Sequence, residues 1–232
     1  YKDYVLPIMF VKYLSDSYED ALDELKKEYS GIRLERQKRY LPFTIAEECS
    51  FKSLYDQRYS DKIGQLINAA MRKIEADNNQ QLAGVLNTVD YNSENALGTL
   101  EHKKAILRDL LEDFEPLSLR PSDIEVKPGQ VPADVIGDAY EYMIGQFASM
   151  AGKKAGSFYT PAAVSEIMAR IVNVQPGERV YDPTCGSGSL LIKAAKKQNS
   201  KEVSIYGQEV NGSSVAMAKM NMYIHEIRDA KI

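Results

Sequence analysis

Apolar residues in the first half of the chain recur three and four positions apart, the period of a helix that buries one face. Tyr4, Val5, Ile8, Met9, Val11 and Leu14 form one stripe, and Ile63, Leu66, Ile67, Ala70, Met71 and Ile74 another. Leu82, Val85, Leu86 and Val89 continue the pattern, as do Leu107, Leu110, Leu111 and Phe114. Turn-forming runs such as Asp77-Asn78-Asn79 and Asp90-Tyr91-Asn92-Ser93 separate these stretches. Residues 1 to about 115 are therefore predicted to be helical, with no internal repeat. Pro116, Pro121, Pro128, Gly129 and Pro132 then mark a connector over 115–133, because proline blocks helix continuation. The pattern predicts a helix from Asp134 to about Met150, with Asp134 as its N-cap.

The period changes beyond residue 150. Gly152, Lys153, Lys154 and Gly156 read as a flexible turn. Thr160 and Pro161 suit the cap and first position of a helix running to about Val172. Glu178 to Asp182 reads as a strand, Ser189 to Lys197 as a helix, Val203 to Tyr206 as a second strand, and Asn211 to about Ile227 as a long helix. Strand, glycine turn, helix, strand, helix is how a doubly wound α/β sheet begins. The predicted fold class is an α-helical N-terminal domain with its proline-rich connector (1–133), followed by the first part of a Rossmann-like α/β domain (134–232). Two strands are too few for a stable layer of this kind, so the sheet is expected to be incomplete at Ile232. The opening residue is Tyr rather than Met, which points to a start inside a longer chain.

Charge narrows the choice of partners. The net charge is −4, and the acid excess lies within residues 1–133. Neither part carries the strongly basic footprint of a stand-alone nucleic-acid binder. Any DNA contact then needs further segments or a partner to meet the phosphates. No stretch approaches the roughly 18 uncharged apolar residues of a membrane helix, so no membrane partner is expected. Cys49 and Cys185 are too few and too far apart for a disulfide framework, which suits a reducing, cytoplasmic setting. The two histidines, His102 and His225, leave little for a zinc site.

The chemistry concentrates in Val180-Tyr181-Asp182-Pro183-Thr184-Cys185-Gly186-Ser187-Gly188-Ser189. A strand ends on an acid, and a glycine bend then opens a helix. Gly186 and Gly188 let backbone pass close to a ligand with no Cβ in the way. The amides at the following helix start suit a carboxylate. S-adenosylmethionine offers both a carboxylate and an ammonium, and Asp182 is placed to take the ammonium directly or through water. Gly207-Gln208-Glu209 follows the second strand, where a carboxylate suits the two ribose hydroxyls of an adenosine and disfavours a 2′-phosphate. Ser157-Phe158-Tyr159-Thr160-Pro161-Ala162 is the third element: aromatics to close over the cofactor, and a helix start to meet its carboxylate.

Phe-Tyr-Thr-Pro, then Asp-Pro-Thr-Cys-Gly-Ser-Gly-Ser, then Gly-Gln-Glu resembles the amino-methyltransferases that place their Phe-Tyr-Thr-Pro motif before the glycine loop. The front of the chain narrows this further. Tyr4 to Phe10 with Leu14-Ser15-Asp16 is similar to the helical domain of type I modification subunits, and Gly137 to Gly145 resembles the helix preceding their first motif. The resemblance implies methyl transfer to the exocyclic amine, N6, of adenine in duplex DNA. It implies S-adenosyl-L-methionine as cofactor, held by Ser157, Phe158, Tyr159, Thr160, Pro161, Ala162, Asp182, Gly186, Ser187, Gly188, Ser189 and Glu209. It also implies a specificity subunit that reads the DNA and a restriction subunit that cuts it. The family's catalytic Asn-Pro-Pro-Phe/Tyr, which would hold a flipped-out base, does not occur in these residues. It is expected beyond Ile232, so the fragment alone is expected to bind cofactor at best.

Each feature also has a plainer reading. The glycine turn is also a tight strand–helix connection, Glu209 a solvated strand end, Thr160-Pro161 a helix cap, and Phe158 with Tyr159 core packing. Cys185 reads as a small buried residue, and Glu141 reads either as pointing to the cofactor pocket or, at least as readily, as an exposed helix acid. Arg33, Arg36, Lys38 and Arg39 read as a solvated face with Glu35 among them. A methyltransferase acting on a protein side chain and a non-catalytic assembly module are the alternative functions. A nicotinamide-binding loop fits less well, since Gly186-Ser187-Gly188-Ser189-Leu190-Leu191 lacks the third glycine of that fingerprint.

Overall fold

The computed structural model describes residues 2–196 and 202–232. They form two compact units, one of Tyr4–Glu125 and the other of Val126–Ile232 with Lys2 and Asp3. No described helix is long and apolar enough to cross a membrane.

In the first unit, α1 (Lys2–Glu28) carries the earliest apolar stripe. Ile8, Phe10, Val11 and Leu14 are fully buried, as a helix apolar on most sides must be. Its buried polar groups are paired. Ser15 Oγ accepts the Phe51 N–H at 2.9 Å, and Asp16 accepts the Leu119 N–H at 2.8 Å while holding Lys12 at 2.8 Å. Then follow α2 (Gly31–Lys38), α3 (Phe51–Asp56), α4 (Ile63–Asp77), the short α5 (Asn79–Leu82) and α6 (Glu94–Leu97), and α7 (Leu100–Phe114). Ile63, Ile67, Ala70, Met71 and Ile74 of α4 and Leu107, Leu111 and Phe114 of α7 are buried at the expected spacing.

The expected helix through Leu82, Val85, Leu86 and Val89 stops at Leu82. Val85 and Leu86 are buried all the same, within turns that pass through Gly84 at φ +71°. Glu75 holds these turns. Its carboxylate accepts the N–H of Gly84 at 2.8 Å, of Leu86 at 3.1 Å and of Asn87 at 3.3 Å, and Asn87 Nδ2 at 2.9 Å. Glu75→Ala leaves these donors to water and is expected to cost about 1–3 kcal/mol, read by urea unfolding. No change would show that the apolar residues alone hold the turns.

In the second unit, α8 (Pro132–Ala151) begins before the predicted Asp134. Pro132 takes the first helical position, so Asp134 falls two residues further in. From there its carboxylate reaches back to accept the Val131 N–H at 3.0 Å and pairs with Lys196 at 2.6 Å. The segment expected to be a flexible turn is a 3-10 helix over Gly152–Ser157. α9 (Ala162–Val172) starts one residue later than predicted. Pro161 stands at the cap position, and its carbonyl accepts the N–H groups of Val164 and Ser165.

β1 (Arg179–Asp182) leads through the glycine bend into α10 (Ser189–Lys196), then β2 (Ser204–Gly207) and α11 (Gly212–Ile224). The predicted helix end at Lys197 lies outside the described residues. β1 and β2 pair in parallel, with Val180 opposite Ile205 and Asp182 opposite Gly207. Lys231 makes a further parallel bridge to Tyr206. Asn211 caps α11 by accepting the Ser214 N–H at 3.1 Å. Leu191, Ile192 and Ala195 of α10, Val203 and Ile205 beside and within β2, and Ala218 and Met222 of α11 make the core that fixes the strand tips.

Candidate functional site

The parallel register puts Asp182 and Gly207 side by side, so Asp182 and Glu209 stand at neighbouring strand tips. Asp182 accepts the Thr184 N–H at 2.9 Å and shapes the turn. Gly186 and Gly188 adopt φ +55° and +78°, conformations that strain any residue with a Cβ. A Cβ on Gly186 would also lie 3.0 Å from the Phe158 carbonyl oxygen. That carbonyl accepts the Ser187 N–H at 3.0 Å, which presses the 157–160 segment onto the bend.

The bend's own amides are occupied. Cys185 N–H donates to the Gln208 carbonyl at 2.9 Å, Gly188 N–H to the Cys185 carbonyl at 2.8 Å, and Gly186 N–H to Glu209 Oε2 at 3.2 Å. Glu209 Oε1 accepts the Asn211 N–H at 2.8 Å. A carboxylate ligand is therefore left with the first turn of α10, whose amides have no acceptor within the helix. Ser187 and Ser189 are buried with their hydroxyls 3.1 Å apart, and Asn221 Nδ2 donates to the Ser187 carbonyl at 3.0 Å.

The structure thus brings Ser157, Phe158, Tyr159, Thr160, Asp182, Gly186, Ser187 and Ser189 to the walls of one narrow cleft of about 50 Å³. Glu209 reaches the same bend through Gly186. Pro161 and Ala162 are exposed at the start of α9, outside that wall. Phe158 is buried, with the Lys2 ammonium 5.1 Å from its ring centre. Cys185 is buried, and burial followed by the charges of Asp182 and Glu209 pushes its thiol pKa up to about 11. A thiol held neutral in this way is a poor nucleophile.

A larger cavity of about 330 Å³ adjoins the cleft, and the two share Tyr159, Thr160 and Ser189. Asp138, Glu141, Ser165 and Lys193 complete much of its wall. Glu141, read from the sequence either as pointing to the cofactor pocket or as an exposed helix acid, is buried and pairs with Lys193 at 3.2 Å, which rules out the second reading. Sequence reasoning missed Lys193 and Ser165. Lys193 lies one helical turn beyond Ser189, a spacing that puts both on one face of α10. A concavity of about 560 Å³ lies elsewhere, in the helical unit. Its cations are already matched, Arg120 to Asp23 at 2.9 Å and Lys26 to Asp23 at 3.1 Å, so it is a groove of solvated ion pairs. Arg33, Arg36 and Arg39 are exposed and Lys38 pairs with Glu35 at 2.7 Å, consistent with a solvated face.

Parallel strands with a glycine bend between two acidic tips define the ligand-binding edge of a doubly wound α/β domain. Residues 131–232 match the N-6 DNA Methylase family, and residues 1–114 match the HsdM N-terminal domain. The chain belongs to the N-6 DNA methylase family, in the form that carries an HsdM N-terminal domain in front. It is 32 % identical to the type I restriction enzyme MpnII methylase subunit of Mycoplasma pneumoniae, over 92 % of this chain and 40 % of that protein. It is 30 % identical to the MjaVIII methylase subunit of Methanocaldococcus jannaschii, over 98 % of this chain and 38 % of that one. The type I restriction-modification system methyltransferase subunit from Streptococcus thermophilus superposes on the whole chain with a TM-score of 0.76 at 28 % identity, and 53 % of that chain is covered. The chain thus spans well under half the length of these two sequence relatives.

Proposed function

We propose that the protein is the modification subunit of a type I restriction-modification system, and that it transfers a methyl group from S-adenosyl-L-methionine to N6 of adenine in duplex DNA. It works in the cytoplasm with a specificity subunit that reads the DNA sequence and a restriction subunit that cuts. The observation that carries this reading is the pair of carboxylates, Asp182 and Glu209, at adjacent parallel strand tips around a bend that only glycine fits, in a chain of the N-6 DNA methylase family.

The residues present fit the cofactor in chemistry. Gly186 leaves room where a Cβ would meet backbone, and Asp182 and Glu209 bring two carboxylates to neighbouring strand tips, a donor set suited to a nucleoside's hydroxyls and an ammonium. The cleft itself is far below the roughly 300–1,000 Å³ of small-molecule pockets. Seating a nucleoside there requires the 157–160 segment to ease off the bend, breaking the contact between the Phe158 carbonyl and the Ser187 N–H. Glu209 then exchanges the Gly186 N–H for the ribose hydroxyls. When bound, S-adenosylmethionine supplies a methyl group on a cationic sulfur, open to attack by an amine. Asp182 keeps the turn closed through Thr184, and Ser187 to Ser189 present the start of α10.

The intact protein, assayed with its specificity subunit and methyl-labelled cofactor, is expected to place label in duplex DNA, recovered as N6-methyladenine. Label on protein instead, or on nothing, overturns the reading. In calorimetry, Glu209→Ala is expected to weaken S-adenosylmethionine binding about 10- to 150-fold, the loss typical of a charged hydrogen-bonded contact. Unchanged affinity would remove Glu209 from the site.

A further inference from the structure

Lys2 and Asp3 open α1 but belong with the second unit rather than the first. Lys2 Nζ lies 5.1 Å from the centre of the buried Phe158 ring, within the range of a cation–π attraction. The ammonium is also anchored. It donates to Asp3 Oδ1 at 2.6 Å and to Ser213 Oγ at 3.0 Å, and the Ser213 hydroxyl donates in turn to Asp3. Ser213 belongs to the first turn of α11, whose cap Asn211 gives its N–H to Glu209 Oε1. Glu209 Oε2 holds the Gly186 N–H, and the Phe158 carbonyl holds the Ser187 N–H. These contacts close a ring around the site. It runs from Phe158 through the glycine bend to Glu209, along the start of α11 to Ser213, and back through Lys2 to the Phe158 side chain.

We propose that Lys2 is a positioning residue for the cofactor site: anchored by Asp3 and Ser213, it clasps Phe158 over the glycine bend and keeps the cleft shut until the cofactor enters. The proposal rests on the methylase reading and deepens it. A cleft of about 50 Å³ is too small for a nucleoside, so the 157–160 segment has to ease off the bend, and the Phe158 ring moves with its backbone. Lys2 cannot follow the ring without giving up Asp3 and Ser213. The cation–π contact therefore belongs to the closed, empty site, and opening has to overcome it. A ligand shifts such an equilibrium only by binding the open form better, and its apparent affinity scales with the fraction of protein already open. Lys2 lowers that fraction. Its side chain is 21 % exposed, so the ammonium is largely shielded from water, which makes the attraction stronger than on an open surface.

Association and dissociation rates of S-adenosylmethionine, measured by surface plasmon resonance on the intact protein, test this. Lys2→Met keeps the alkyl stem and removes the charge. It is expected to speed association and tighten binding about 2- to 10-fold with the dissociation rate unchanged, because only the closed form loses a contact. Lys2→Arg, which keeps a cation over the ring, is expected to bind with the rates of the wild type. A residue that merely supports the fold acts in the opposite direction, since damage to the site weakens binding. Unchanged or weaker affinity in Lys2→Met, or a gain that comes from slower dissociation, overturns the proposal. So does Lys2→Arg protein that binds as Lys2→Met does, since the charge would then have no part in closure. Wild-type protein with no affinity for S-adenosylmethionine would instead refute the methylase reading itself.

Discussion

Gly137→Ala is expected to destabilise the second unit by about 2–3 kcal/mol, although alanine is ordinarily the better helix former by about 1 kcal/mol. Gly137 sits inside α8, and a Cβ there would lie 2.1 to 2.5 Å from three atoms of the His225 ring. The ring has nowhere to go, since its side chain has zero exposure. Overpacking of this kind forces backbone or rotamer shifts that outweigh the gain in helix propensity. Gly145→Ala in the same helix is the internal control. Its Cβ meets the Tyr159 hydroxyl end at 3.1 Å, where a small tilt of the ring relieves the contact. Urea unfolding at neutral pH measures both. The double variant Gly137→Ala with His225→Ala should recover part of the loss, because the two substitutions share one contact and will not add. Additive losses, or a Gly137→Ala protein as stable as the wild type, would remove the imidazole as the cause.

What the sequence made legible follows from how local each signal is. The stripe of α4 and the glycine bend are local. The first is a period within one helix, and the second is a pair of glycines at φ +55° and +78° directly after a strand. The bend therefore announced itself, and the family resemblance fixed its neighbours. Val85 and Leu86 misled because they keep the helical spacing while packing from turns held by the distant Glu75. Asp134 misled because a carboxylate at the third helical position resembles one at the cap; Pro132 was the better marker of the start. Glu141, Ser165 and Lys193 come together from three helices, and no short-range pattern in the chain relates them. Their partnership is a product of packing between α8, α9 and α10, which spacing rules do not reach.

His225 makes the same packing measurable as a pH dependence. Burial, and then the like charges of Lys196 and Lys193, push its pKa from 6.5 down to about 3, against a smaller opposing effect of Asp134. The folded protein thus keeps the ring neutral while the unfolded chain takes up a proton below about pH 6.5. More protons on the unfolded state mean that stability falls as the pH falls, and the window runs from about 6.5 down to 3. Asp134 acts elsewhere. Burial alone would raise its pKa, but the hydrogen bonds from Lys196 and the Val131 N–H outweigh this and lower it, so its contribution is lost only below about pH 4. Between pH 7 and pH 4 the wild type should therefore lose about 3 kcal/mol relative to His225→Asn, which has no proton to gain. Parallel urea titrations of the two proteins at pH 7, 5.5 and 4 give this difference directly. Curves that stay parallel across the series would mean that the imidazole is charged, or solvated, in the folded state. The tight seat against Gly137 would then be wrong, and with it the steric argument for the glycine.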